Sequence, residues 1–252
     1  MAKQFGQVSL IGTVGDTTYT RTSNGFRAGQ RSRLNKNSIL TSPRFARLRE
    51  HMEEFGRAGK AGKMVREHLN LLIGNCKDTR MSSRLTTLML TAVQMDKVNP
   101  LGQRNVLDGE LSVLEKFEFN SGASLVGTLA ADVSGDIDRS TGQASVQIAA
   151  FVPEEVMKYS LAASHYRISI GAAVINFEDG TGQRRFTDGP YLPVGKEAAA
   201  AQSLAVSLPT GLTDPILLAL KLEFFTEVNG YMNGLRDSSY GTCSILKVDT
   251  GV

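Results

Sequence analysis

The sequence has no tryptophan, two cysteines and three histidines in 252 residues. Cys76 and Cys243 lie far apart and outside any C-x-x-C pattern, so no disulfide framework is available. Two unpaired thiols made in a reducing compartment are the expectation. His51, His68 and His165 show no metal-ligand spacing such as H-E-x-x-H, and no metal is expected. There is no G-x-S-x-G, hence no nucleophile elbow. Asp132, Asp136 and Asp138 in DVSGDIDRSTG lack the glycine and terminal glutamate of an EF-hand loop, so an acidic hairpin turn is expected there. Glu154 and Glu155 are adjacent, and adjacent side chains diverge on a strand or a helix, which places them poorly to share one substrate. No catalytic residue, metal ligand or cofactor is nominated, and the expectation is a protein that is not an enzyme.

Long apolar runs are also missing. No stretch approaches the roughly 18 continuous apolar residues of a membrane span. The start, MAKQFGQVSLIGTVGD, carries one lysine and a short apolar run broken by glycines, without a cleavage site. The expectation is cytoplasmic synthesis, no signal peptide and no membrane partner. Release inside an assembled particle would leave no mark in such a sequence.

What is present is the composition of a folded protein, with 41% hydrophobic and 21% charged residues. The length suffices for one large domain or two small ones. Charge is divided unevenly. Residues 1–105 hold 18 basic and 7 acidic side chains, a net of +11, whereas residues 106–252 hold 10 and 18, a net of −8. A basic first part joined to an acidic second part suits contacts with an oppositely charged partner.

The pattern predicts an α+β chain in three segments. Residues 1–41 read as a β-hairpin arm. VSLIGTV and TTYTRT are rich in β-branched residues, Asn24-Gly25 signals a tight turn, and Tyr19 and Phe26 supply the arm's aromatic side chains. An isolated hairpin is marginally stable at best, so the arm must lie on its own chain or on a neighbour.

Residues 42–105 read as helical. Ser42 suits an N-cap and Pro43 the first helical position. Phe45, Leu48, Met52, Phe55, Gly59 and Gly62 keep steps of three and four, with Leu69 two turns further on, which puts Gly59 and Gly62, with Gly56 beside them, on a packing face. Each glycine inside a helix costs about 1 kcal/mol relative to alanine, so the expectation is close approach of another backbone, the rival being a break between two shorter helices. The stretch EFGRAGKAGKM is not a phosphate loop. Position 57 is Arg where a glycine is required, Met64 stands where Ser or Thr is required, and no strand precedes it. Arg44, Arg47, Arg57, Lys60 and Lys63 form a basic strip along the helix, read as a subunit-interface or basic patch for an acidic protein surface or nucleic acid, the rival being a solvated face partly neutralised by Glu50, Glu53 and Glu54. A second helix is expected over Ser82–Met95, ended by Asn99-Pro100.

Residues 106–252 change to a period of two. Tyr166, Ile168 and Ile170 alternate with polar residues, as do Leu204, Val206 and Leu208, and Ile216, Leu218, Leu220, Leu222 and Phe224 form the longest face. Turn signals such as Asp179-Gly180 and Asn229-Gly230 separate the runs. This predicts an antiparallel β-sandwich, Ig-like or jelly-roll-like in outline.

The stretches GTVGDTTYTRTSNGFRAG, EFGRAGKAGK, DTRMSSRLT and GQRNVLDGE resemble blocks from a family of uncharacterised bacterial proteins of similar length. The resemblance covers most of residues 10–115 and is looser beyond. It implies no activity; it implies that the arm and the glycine-rich helix are fixed features. These readings converge on a structural subunit that self-assembles into a tube, filament or shell, its partners being copies of itself in head-to-tail contact. The alternative is a capsid-like coat using the basic first part to hold nucleic acid, less favoured because the basic residues are mixed with glutamates and no cluster of aromatic side chains offers a platform for bases.

Overall fold

The computed structural model describes residues 2–3, 10–31, 36–235 and 239–251. The amino-terminal strands form a sheet of their own: β1 (Ala2–Lys3), β2 (Gly12–Val14), β3 (Thr17–Thr22) and β4 (Gly25–Gln30), in the order β1-β4-β3-β2 and all antiparallel. Residues 8 and 9 of the predicted first strand lie outside the described residues. Thr22 pairs with Gly25, so the chain turns over Ser23 and Asn24, one residue earlier than Asn24-Gly25 suggests. Gly25 opens β4 at φ +104°, which only glycine takes readily, and its carbonyl accepts from Thr22 Oγ1 at 2.8 Å. Helix α1 (Lys36–Thr41) and a 3-10 turn (Pro43–Phe45) follow. Arg49 Nη1 ties them together by donating to the carbonyls of Ile39 and Ser42.

The chain divides into two compact units between Arg49 and Glu50, inside helix α2 (Ala46–His68). This differs from boundaries at 41/42 and 105/106. Unbroken helix runs through Gly56, Gly59 and Gly62, so the continuous helix, and not the break, is what forms. Helices α3 (Asn70–Ile73) and α4 (Met81–Gln94) come next, then a 3-10 turn (Leu111–Leu114) and α5 (Leu125–Thr128). The remaining elements are β5 (Val133–Asp138), β6 (Gln143–Ile148), α6 (Pro153–Val156), β7 (His165–Ile175), β8 (Gly182–Asp188), β9 (Leu192–Pro193), β10 (Gln202–Ser207), β11 (Ile216–Val228), β12 (Tyr231–Gly234) and β13 (Thr242–Asp249).

Two antiparallel sheets result, ordered β10-β6-β5 and β12-β11-β7-β8, with β13 pairing β11 and β9 pairing β7 in the second. The fold is therefore α+β, with sheets packed in sandwich fashion and an amino-terminal hairpin. The helical segment is not a separate body, and the reason lies in β7 and β11. Ile168, Ile170, Leu218, Leu220 and Leu222 face the smaller sheet in one core with Val146 and Val206. The alternate residues Ala173, Ile175, Leu217 and Ala219 are apolar too and form a second core with Val65 and Leu69 of α2, Leu72 of α3, and Leu85 and Met89 of α4. A sheet apolar on both faces must be covered on both, and the helices are the second cover.

Asn229 (φ 53°) and Gly230 (φ 79°) make the expected turn between β11 and β12. Asp138 accepts from the hydroxyls of Ser140 and Thr141, which makes DIDRSTG a hairpin turn between β5 and β6.

Candidate assembly surfaces

Helix α2 buries Glu54, Ala58, Ala61, Gly62 and Val65, and Leu69 follows on the same face. The large apolar residues predicted to be inside, Leu48, Met52 and Phe55, are 43%, 54% and 56% exposed. The helix thus presents its small residues to the core and its large ones to the outside. Gly62 is the one expected packing glycine that touches a neighbouring helix. A Cβ there would lie 3.6–3.7 Å from Leu85, Met89 and Thr86 of α4, ordinary van der Waals contact. A Cβ on Gly56 or Gly59 would meet nothing within 4 Å. Among the described residues, then, nothing packs closely on Gly56 and Gly59, because the helix is rotated to bury its alanines.

The basic strip is partly committed to internal work. Arg57 Nε donates to the carbonyl of Arg104 at 2.7 Å and its Nη2 to that of Gly102. Glu54 Oε1 accepts from the Gly102 amide at 2.9 Å, and Arg104 Nε lies 3.8 Å from the same oxygen. These two side chains of α2 pin the loop after α4 onto the helix. Glu54 is accordingly buried and does not belong to a solvated face. Lys63 forms an exposed i,i+4 pair with Glu67 at 3.6 Å, Arg44 stacks on Phe45 at 4.6 Å from the ring centre, and Arg47 and Lys60 are exposed. Lys60 lines a cleft of about 290 Å³ with Arg57, Met64, Val106 and Phe177. Glu178 lines it as well, so the cleft does not gather charge of one sign.

In the arm, Tyr19 pairs with Ala28 and Arg21 with Phe26, placing Tyr19, Arg21, Phe26 and Ala28 on one face. Arg21 lies 5.9 Å from the centre of the Phe26 ring. Asn24 and Gly25 occupy the turn and the start of β4. Among the described residues from 10 to 49, none is buried.

No protein-family model, curated protein or solved structure matches the chain. Among the described residues no helix is long and apolar enough to cross a membrane, and no cluster of three or more His, Cys, Asp or Glu side chains is arranged to hold a metal ion. Cys76 and Cys243 are both free and buried. Burial pushes the Cys76 thiol up to about 12 and raises Cys243 well above its usual value, which makes both poor nucleophiles.

The acidic turn expected at Asp132, Asp136 and Asp138 is instead an acidic face of the smaller sheet, with only Asp138 at the turn. Asp132, Ser134, Asp136 and Asp138 alternate with inward residues on and beside β5 and are all exposed. The period-two signal that could have found them is present in ADVSGDID. Lys247 Nζ contacts Asp136 at 2.9 Å. Glu154 and Glu155, at the start of α6, add two more exposed carboxylates.

Proposed function

We propose that the protein is a structural subunit that assembles with copies of itself into a tube, filament or shell. The observation that carries this reading is that none of the described residues from 10 to 49, in the amino-terminal unit, is fully buried. A small sheet whose described side chains are at most half-buried has little to offset its loss of conformational entropy, and a surface on another molecule supplies what it lacks. The charge layout supports head-to-tail contact, since a +11 region and a −8 region on each copy attract across a heterologous interface and like ends repel. Exposed Leu48, Met52 and Phe55 on α2 give such an interface apolar area. A sandwich of Ig-like or jelly-roll-like outline serves as the body that carries the acidic surface.

The test is the particle mass of the purified protein by light scattering across salt concentrations, with negative-stain images and absorbance at 260 and 280 nm of the same samples. Large regular particles without nucleic acid, shrinking as salt rises, are expected. A clean monomer at every salt sinks the proposal. Particles that always carry nucleic acid favour the coat reading, in which the basic first part holds phosphates.

A further inference from the structure

The smaller sheet ends at β5. Among the described residues β5 pairs with β6 on one side and with no strand on the other. Beside that edge lies a cleft of about 280 Å³, lined mostly by apolar side chains, among them Leu125, Val126, Leu129 and Val133, with Lys116 and Glu118 also in its wall. Val126 stands 79% exposed at its mouth. The far wall is the segment Lys116–Phe119, which hydrogen-bonds along the outer edge of β13. An unpaired edge next to an apolar cleft is the geometry that accepts an added strand, with backbone bonds giving adhesion and side-chain seats giving selectivity.

The charge on this edge selects among partners. Asp136 is paired with Lys247, but Asp132 and Asp138 would still face acidic side chains if two β5 edges met, and like charges set opposite each other on paired strands are repelled. A basic strand is admitted. Residues 10–31 carry Arg21, Arg27 and Arg31 against Asp16 alone. They also hold exposed Leu10, Ile11 and Val14, with Ile11 at 71%. Strand β2 is itself the edge of the arm's sheet, pairing with β3 on one side and with no other described strand.

We infer that the free edge of β5 and its apolar cleft receive the amino-terminal arm of a second copy of this chain, β2 lying along β5 with an apolar side chain such as Ile11 in the cleft. This rests on the self-assembly reading and names its contact. Helix α2 is less suited to the arm by the same reasoning, because its exposed Arg47, Lys60 and Lys63 outnumber its exposed Glu53 and Glu67.

Two changes to the full chain test the contact. Ile11→Cys with Val126→Cys, under a mild oxidant, is expected to give covalent dimers and longer ladders on a non-reducing gel, while each single variant gives none. Asp132→Lys is expected to lower the assembled fraction several-fold at low salt, with recovery when Arg21→Glu and Arg27→Glu are added in the same chain. Asp132 has an exposed side chain, so its replacement leaves the core intact. Particles that form normally with Asp132→Lys and give no ladder overturn the inference and leave self-assembly standing. A bridge confined to single chains also overturns it, making the arm's seat its own molecule. A wild-type protein that stays monomeric removes both.

Discussion

Compare the amino-terminal sheet with the sheet that contains β11. Both are antiparallel and both use β-branched residues, yet β11 is buried along most of its length while β2 is exposed and β3 and β4 are at most half-buried. The difference is what alternates. In β11 the sequence ILLALKLEFF is apolar at both parities, so each face finds a cover. In the arm, TTYTRT and GFRAGQ set threonine, glycine and arginine against two aromatic rings, too little to make a core. Propensity and hydrogen bonds shape the arm, and burial shapes the rest. The arm's stability is thus open to control by whatever it touches.

The largest effect that tests this contrast is a core truncation. Leu220→Ala removes a fully buried side chain between the two sheets. It is expected to destabilise the protein by about 2–5 kcal/mol in denaturant unfolding. Phe26 is half-buried, so Phe26→Ala in the arm should change the stability of the unassembled chain by at most about 1 kcal/mol, well below the core truncation. The same arm change should lower assembly, and deleting residues 1–35 should abolish it with the unfolding midpoint unmoved. An arm variant that melts the monomer as severely as Leu220→Ala would erase the distinction between the two regions.

An intermediate effect sharpens it inside the helical layer. Asp96 is buried at the end of α4. Burial works to raise its pKa, but the backbone amides of Asn99, Asn105 and Val98 and the Asn99 side chain outweigh it and hold the carboxyl at about 2. A carboxyl depressed on folding contributes stability that is complete above its unfolded pKa of about 3.9 and is lost as pH falls towards the folded value. Acid unfolding should therefore draw on Asp96 between about pH 4 and 2. Asp96→Asn puts a donor among donors; it should cost about 1–3 kcal/mol at neutral pH and flatten that part of the acid profile. Equal slopes for both proteins would show that the loop bonds contribute nothing.

Much of this architecture was legible. The hairpin arm, both long helices and the even-numbered face of β11 follow from turn residues, caps and period. The second core was harder to see. Leu217, Ala219, Ala173 and Ile175 are apolar, but alternation with polar neighbours elsewhere in the β region drew attention to one face, and so the helices looked like a separate segment. Glu54 was misread for a related reason: an acid at helical spacing from basic residues looks solvated, and only the loop at Gly102–Arg104, far away in sequence, makes its burial tolerable. The packing face of α2 was sought where the large side chains are. Its real face is built from Ala58, Ala61 and Gly62, and small residues carry little periodic signal.

The smallest effect asks why α2 keeps Gly59. In the chain itself a methyl group there meets open space, so Gly59→Ala should stabilise the unassembled protein by up to about 1 kcal/mol through helix propensity alone. Gly62→Ala should behave similarly, since its Cβ would find only ordinary contacts with α4. Gly109→Ala marks the opposite extreme, because its Cβ would fall 2.2 Å from the carbonyl oxygen of Ala92. Thermal unfolding at a salt concentration that keeps the protein monomeric separates these from assembly effects. If Gly59→Ala raises the melting temperature of the monomer yet lowers the assembled fraction, the glycine is retained for a neighbour's backbone. If it raises both, the exposed glycine face is a surface that no copy touches, and the apolar residues Leu48, Met52 and Phe55 beside it must find their cover without close helix approach.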